Sequence, residues 1–380
     1  MTDCLNTAVS AYIDNTAKST GDGAYHATAK TVLQQWLNWC NTHDITSLTE
    51  LSPSEIRTYV QHLNKRMRDS EITASTVHTY FNIVRGCLSW CVTDSRLDAN
   101  PADSHPALSA LPTDTQDPDT SQQFWNPTQI QELLSHVNHE ARTAIDNNPK
   151  DALAPVRDRS LAHTLTFSGA RGAELFSSPT DTRKGRNGIT WNRVDLEAGT
   201  IEVLGKSQNW EHAQLPNQAT HALTQLYRTQ NPSSDDWPVF TTLHAPTLYN
   251  TARENLADRG HTEYEVEERI TNADTPTSLL RDLGIAPPSI TTEGARTIMK
   301  RLCNTADIDI NGEYLKPHGG RRGLGHILYQ EQAELAQSAL RHESIETTHQ
   351  AYSDIVASDT SDTVSDVLET SLNSPSSTDE

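Results

Sequence analysis

Residues 102–123, ADSHPALSALPTDTQDPDTSQQ, carry Pro, Asp, Ser and Thr with no hydrophobic period, so they read as a solvated linker between two parts that must each bury a core. The 380 residues of the chain leave room for both cores. On the N-terminal side, Val32, Leu33, Trp36, Leu37 and Cys40 recur at helical spacing within a segment that starts at Ala24. LSPSEIRTYVQHLNKR then opens with a capping box, Ser52 as N-cap, Pro53 at the first helical position and Glu55 at the third. Its apolar face is Ile56, Tyr59, Val60 and Leu63. A third helix from Thr73 or Ala74 aligns Val77, Tyr80, Phe81, Val84, Leu88 and Cys91 before Asn100-Pro101 stops it. Residues 1–101 are therefore expected to form a small helical domain.

Beyond the linker a second domain is expected over 124–357. It begins with a helix capped at Asn126-Pro127 with Gln129 at the third position and carrying Ile130, Leu133, Leu134 and Val137. A helix near Val156 to Thr166 leads into the turn SGARGAEL. Between Gly188 and Pro216 the period shortens. Ile189, Trp191 and Val194, then Ile201 and Val203, then Leu215 are separated by turn residues, which predicts a three-stranded antiparallel sheet with Lys206 at the tip between its second and third strands. Helices are predicted again at about Asn217–Tyr227, Pro246–Ala257 and Thr291–Cys303, whereas the acidic stretch 259–290 shows no clear period. Residues 358–380 form a tail rich in Ser, Thr and Asp in which Val364, Val367, Leu368 and Leu372 would line one face of a short helix. The fold class is mainly α (α+β): a helical N-terminal domain, then a helical domain with a small three-stranded antiparallel sheet.

Charge narrows the setting. Asp plus Glu number 50 against 30 Lys plus Arg, a net of -20, and the hydrophobic fraction is 35%. With Thr and Asp abundant and only 8 of the 30 basic residues lysine, this is the composition of a protein kept soluble in concentrated salt, a halophilic type. No apolar run approaches the roughly 18 to 20 residues that span a bilayer, and the N-terminus lacks the features of a signal peptide, so a soluble cytoplasmic protein is expected. Five cysteines without a CxxC pair and scattered histidines without an HExxH motif offer neither a disulfide framework nor a metal site, and no cofactor is expected.

The chemistry concentrates in KPHGGRRGLGHILYQEQAELAQSALRHESIETTHQAY, residues 316–352, read as one helical segment. It places His318 and Arg321 three apart, then Arg341 and His342, then Tyr352. Upstream stand Arg171 in SGARGAEL and Lys206 at the hairpin tip. Cutting a phosphodiester without a metal requires two guanidiniums on the nonbridging oxygens, an acid for the departing sugar oxygen and a hydroxyl that attacks in line. Arg171 and Arg321 suit the clamp because a planar fork of donors matches phosphate. Lys206 suits the acid, His318 assists proton transfer from the nucleophile, His342 hydrogen-bonds the phosphate, and Tyr352 attacks. Lys184 and Arg186, in DTRKGRNG, are candidate contacts to the DNA backbone.

In this order and context the residues resemble the tyrosine recombinases, also called phage integrases. The family pattern is an arginine in a glycine-bearing turn with an acid three residues on, a hairpin lysine, HxxR, a GH-like dipeptide and a tyrosine. Arg171 with Glu174, Lys206, His318 with Arg321, His342 and Tyr352 match it in turn. Two positions depart from it: Arg341 stands where a glycine usually precedes the second histidine, and Tyr352 lies one residue farther from that histidine, a turn of about 100° in a helix. The resemblance implies a core-binding domain at 1–101 and a catalytic domain at 124–357. It also implies a tail that docks on a neighbouring protomer, and a site-specific recombinase or integrase acting without metal or ATP through a 3'-phosphotyrosine on double-stranded DNA. The assembly on DNA would be a homo-oligomer, a tetramer. The alternatives are a non-catalytic DNA-binding accessory protein on the same scaffold and a type IB topoisomerase.

Overall fold

The computed structural model describes residues 4–16, 23–113, 122–183 and 185–352. Two compact units divide the chain, one formed by Met1–Ser121 with Pro179–Lys184, the other by Gln122–Ser178 with Gly185–Glu380.

The first unit is helical. Helices α1 (Leu5–Thr16), α2 (Ala24–Thr42), α3 (Pro53–Arg68) and α4 (Ala74–Thr93) enclose one core that contains Trp36, Tyr59, Phe81, Val84 and Leu88. The Ser52–Glu55 capping box forms as its residues predict. Helix α1 was not anticipated, although Leu5, Ala8, Val9 and Tyr12 bury one face at helical spacing. The linker reading of 102–123 fails for its first part. A 3-10 turn at Pro101–Asp103 and the short helix α5 (His105–Leu108) bury Ala102 and Ala107 in this core. Asn64 Nδ2 donates to the Ala110 carbonyl at 2.7 Å, and His78 Nε2 meets the Pro112 carbonyl at 2.9 Å. A polar composition hid two small apolar anchors that fill gaps rather than form a stripe.

The second unit is built around α7 (Leu153–Phe167), which packs against α6 (Pro127–Asn147), α9 (Asn217–Gln230) and α14 (Pro317–Glu331). Helix α7 is buried on nearly all sides, polar groups included. Asp158 accepts from Arg157 at 2.8 Å and pairs with Arg301, so the buried charges are mutually satisfied. After the short α8 (Gly172–Leu175) comes the antiparallel sheet, β1 (Val194–Asp195), β2 (Thr200–Leu204) and β3 (Trp210–Gln214), in that order, with Ile201 opposite both Val194 and Ala213. The first strand is shorter than expected because Trp191–Arg193 coil into a 3-10 turn. Residues 259–290 are ordered. Helices α11 (Glu263–Thr271) and α12 (Pro276–Asp282) follow α10 (Ala245–Asp258), and Leu248, Ala252, Leu279, Leu280 and Ile285 make a small separate core. Helix α13 (Thr292–Thr305) precedes α14.

The stretch read as one helix is three. Helix α14 ends at Glu331, α15 (Ala333–Leu340) ends at Arg341 in the left-handed conformation, and residues 345–352 are helical again. The tail helix expected around Val364 to Leu372 lies outside the described residues.

Candidate active site

Helix α14 brings His318 and Arg321 to the end of α7. Arg321 is 4% exposed and donates Nη1 to the Gly169 carbonyl and Nη2 to the Leu340 carbonyl. Those two bonds tie α14 to the turn before Arg171 and to the end of α15. They leave three of the five guanidinium N–H groups for a ligand. The approach is made possible by glycine: at Gly323 a Cβ would overlap the Trp125 carbonyl. Trp125 is 1% exposed and donates Nε1 to the Lys316 carbonyl at 3.1 Å, so it fixes the start of α14.

Arg171 precedes α8, and its backbone N–H and Nη1 both donate to Glu174, at 2.7 and 2.9 Å. Burial raises the Glu174 carboxyl, but the guanidiniums of Arg341 and Arg171 and the Arg171 amide outweigh it, and the group is held below the usual carboxylate range. Glu174 is therefore an anion buried among cations. It accepts both from the Arg171 amide and from the Arg171 guanidinium.

His342 follows Arg341 and faces the same cations; its Nδ1 lies 2.9 Å from Thr348 Oγ1. Burial, then Arg321, Arg171 and Arg341, push its pKa down to about 4. His318 sits at a more open edge, and partial burial of its ring with Arg322, Arg321 and Arg171 also pushes it down to about 4. Tyr352, 3% exposed, lies against Phe124 and Tyr329, with ring centroids 6.1 and 5.7 Å away. Burial raises its phenol, while Arg321 and Arg322 pull the other way. Only Glu343 and Ser344 separate His342 from the last helix, and Ser344 Oγ accepts from Thr347 N at 3.3 Å as its cap.

The structure thus brings Arg171, His318, Arg321, His342 and Tyr352 into one electrostatic neighbourhood. Lys206 stands apart on the exposed tip of the β2–β3 hairpin, where Gly205 N donates to the Asn209 carbonyl at 2.8 Å. Arg186 is not the surface phosphate contact its position in DTRKGRNG implied. It is 5% exposed and donates to the Ala173 and Gly205 carbonyls at 3.1 and 3.0 Å, tying α8 to the hairpin base. Lys184 lies outside the described residues. The sequence reading missed Trp125, Glu211 and the glycines of HGGRRGLG. The repeated small residues on one helix were a visible sign of close packing. Among the described residues no three His, Cys, Asp or Glu side chains group as a metal site.

Two outcomes follow from this geometry. His342 and His318 should stay neutral through the range, centred on about 6.5, in which an ordinary histidine titrates. Because their folded pKa values are depressed, the unfolded chain binds more protons between about 6.5 and about 4. Their contribution to stability is present above the unfolded value and is lost as pH falls through that window. Imidazole C2–H shifts followed by NMR check this, and Arg321→Ala should move the His342 midpoint upward. Secondly, a Cβ at Gly325 would sit on the Tyr352 hydroxyl and 2.6 Å from Leu340 Cδ1. Gly325→Ala should therefore displace the Tyr352 ring and cost about 1–3 kcal/mol by overpacking, seen as a lower denaturant midpoint with greater iodination of Tyr352.

Neither a protein-family model nor a curated protein matches this sequence. Solved structures do. Part of the Tn1549 transposon integrase, in complex with transposon right end DNA, superposes with a TM-score of 0.55 at 13% identity over 93% of this chain and 95% of that one. A lambda integrase dimer bound to a COC' core site gives 0.52 at 10% identity over 92% and 77%. The chain has the tyrosine recombinase fold. At 93% of this chain, the likeness extends over both units of this tyrosine recombinase fold.

Proposed function

We propose that this protein is a site-specific DNA recombinase or integrase that cuts and rejoins strands through a covalent 3'-phosphotyrosine at Tyr352. The observation that carries the proposal is the convergence of Arg171, His318, Arg321, His342 and Tyr352, from separate segments of the chain, around one buried arginine. Arg171 and Arg321 hold the nonbridging oxygens of the scissile phosphate and stabilise the charge that develops on them. Neutral His318 accepts the phenol proton as Tyr352 attacks phosphorus, and His342 hydrogen-bonds a phosphate oxygen. Lys206, brought in on the hairpin, protonates the departing 5' oxygen. The phosphodiester energy stays in the protein–DNA link, so the reverse attack by a 5' hydroxyl restores the strand without ATP or a metal. Tyr352 must turn away from Gly325 to reach DNA, since its ring is buried in the free protein.

The test is covalent trapping on nicked duplexes that span the DNA flanking this protein's coding sequence. A denaturation-resistant adduct is expected. Folded protein that binds these duplexes and never forms one would leave only the binding role. Holliday junctions formed with paired duplexes distinguish recombination from the relaxation chemistry of a topoisomerase, and a tetramer is expected on such junctions.

The acidic surface sets a salt requirement. A protein of net charge -20 repels DNA over about 30 Å at 0.01 M salt but only about 3 Å at 1 M. In a protein of halophilic type, binding and cleavage should rise with KCl from dilute buffer toward the molar range before counterion release weakens the contacts. Anisotropy with circular dichroism across the series checks this; affinity falling from the lowest salt, with the protein folded throughout, would sink the halophilic reading.

A further inference from the structure

Arg341 occupies a backbone position that favours glycine. It caps α15 with φ 54 and ψ 50, the left-handed region in which a Cβ is unfavourable. A glycine would satisfy that backbone and hold nothing. The arginine holds a great deal. Its side chain is 10% exposed; Nη2 donates to Glu174 Oε2 at 2.5 Å, and Nε donates to Glu211 Oε2 at 3.0 Å. Glu174 is the carboxylate that fixes Arg171. Glu211 lies on β3 and accepts from Ser207 Oγ at 3.3 Å, next in sequence to Lys206. Among the described residues, Arg341 Nη1 is buried without a hydrogen-bond partner, so the side chain is placed for its carboxylates at the expense of one donor.

We propose that Arg341 is a positioning residue: the chain Arg171–Glu174–Arg341–Glu211 locks the exposed hairpin tip to the arginine clamp, and Lys206 reaches its working place only while that chain is intact. The inference rests on the recombinase reading of the site. Its physical basis is that Lys206 rides on a short exposed tip, Gly205–Asn209, held internally by two backbone bonds, Gly205 N to the Asn209 carbonyl and Gln208 N to the Gly205 carbonyl, and by Gln208 Nε2 on the Lys206 carbonyl. Such a tip opens easily on its own. Two arginines brace it, Arg186 through the Gly205 carbonyl at its base and Arg341 through Glu211 on its outgoing strand. Of the two, Arg341 also touches the carboxylate that orients the clamp, so it makes hairpin and clamp one unit. Removing its guanidinium leaves Glu174 buried with half of its countercharge and frees Glu211 to turn to solvent.

Arg341→Gly isolates the side chain, because glycine takes the observed φ without strain and folding is retained. Two readouts apply. Amide hydrogen exchange over residues 205–209 should speed up by about tenfold in the variant. Single-turnover adduct formation on the nicked duplexes should fall by about 10- to 100-fold at saturating DNA, with affinity by anisotropy unchanged within about twofold. Glu211→Gln should act in the same direction, and Arg341→Lys should recover part of the rate. Lys206→Ala should be no slower when Arg341→Gly is added, since both changes remove the same step. Wild-type exchange in both Arg341→Gly and Glu211→Gln overturns the coupling, whatever the cleavage rate. Faster exchange with wild-type adduct formation overturns the positioning role. If the wild-type protein itself forms no adduct, the recombinase reading fails, and the exchange measurement still decides whether Arg341 braces the hairpin.

Discussion

Tyr352→Phe should bind duplex DNA as the parent does and form no covalent adduct. The substitution removes one oxygen and keeps the ring between Phe124 and Tyr329, so packing is preserved and the loss is confined to chemistry. Removing a nucleophile costs many orders of magnitude, on the order of 10⁶ in a well-studied hydrolase, so the residual signal should fall below detection. Tyr329 is the neighbouring phenol that rivals Tyr352 as the proposed nucleophile. Its hydroxyl lies 2.6 Å from His349 Nδ1, a pairing that could activate it. Tyr329→Phe is expected to keep the adduct. Gel-shift affinity and denaturing-gel trapping of both variants decide the matter, and an adduct that survives Tyr352→Phe while vanishing in Tyr329→Phe would reverse the assignment.

Arg321→Ala should damage both the fold and the reaction. Its guanidinium satisfies the Gly169 and Leu340 carbonyls from a 4% exposed position, and leaving such acceptors unpaired costs about 1–3 kcal/mol each. On the proposed function, the same change also removes a preorganised donor to the phosphate, worth about 10²- to 10³-fold in the chemical step. A lower melting temperature together with a lower single-turnover rate is therefore expected. Arg321→Lys should keep the charge but not the fork, and a single ammonium cannot span two carbonyls on different elements while also gripping phosphate. It should recover binding more than rate. Arg171→Ala is the useful contrast: among the described residues Arg171 is bonded to Glu174 and holds no carbonyl from another helix, so on the proposed function its loss should lower the rate with a smaller change in melting. Equal stability of Arg321→Ala and the parent would refute the anchoring role.

Most of the helices were legible because their burial is one-sided. Helix α3 shows the logic in full: Ser52, Pro53 and Glu55 announce its start, and Ile56, Tyr59, Val60 and Leu63 announce its face. Helix α7 is buried all round and carries Arg157, Asp158 and His163 inside, so it has no clean stripe, yet the helix expected near Val156 to Thr166 is present. The signals failed where the buried residues are small or few. Ala102 and Ala107 are core residues too small to stand out in a polar stretch. Helices α11 and α12 serve a separate minor core of five buried residues, too few to set a period across an acidic segment.

For the candidate site, the amino-acid sequence by itself determined which groups are available and their order: an arginine before an acid, a hairpin lysine, HxxR, a histidine and a tyrosine. These are local facts of spacing, and composition and pattern preserve them. Only the tertiary structure decided what each group does in place. It divided 316–352 into three helices, buried Arg186 where exposure was expected, and left Lys206 at an exposed tip. It also turned the odd Arg341 into the link between Glu174 and Glu211. The reason is that a side chain's role depends on what lies within a few ångströms of it. For Arg341 those neighbours are Glu174 and Glu211, each more than a hundred residues away, joined by close packing such as that of Gly323 on Trp125, which no local pattern in the chain encodes.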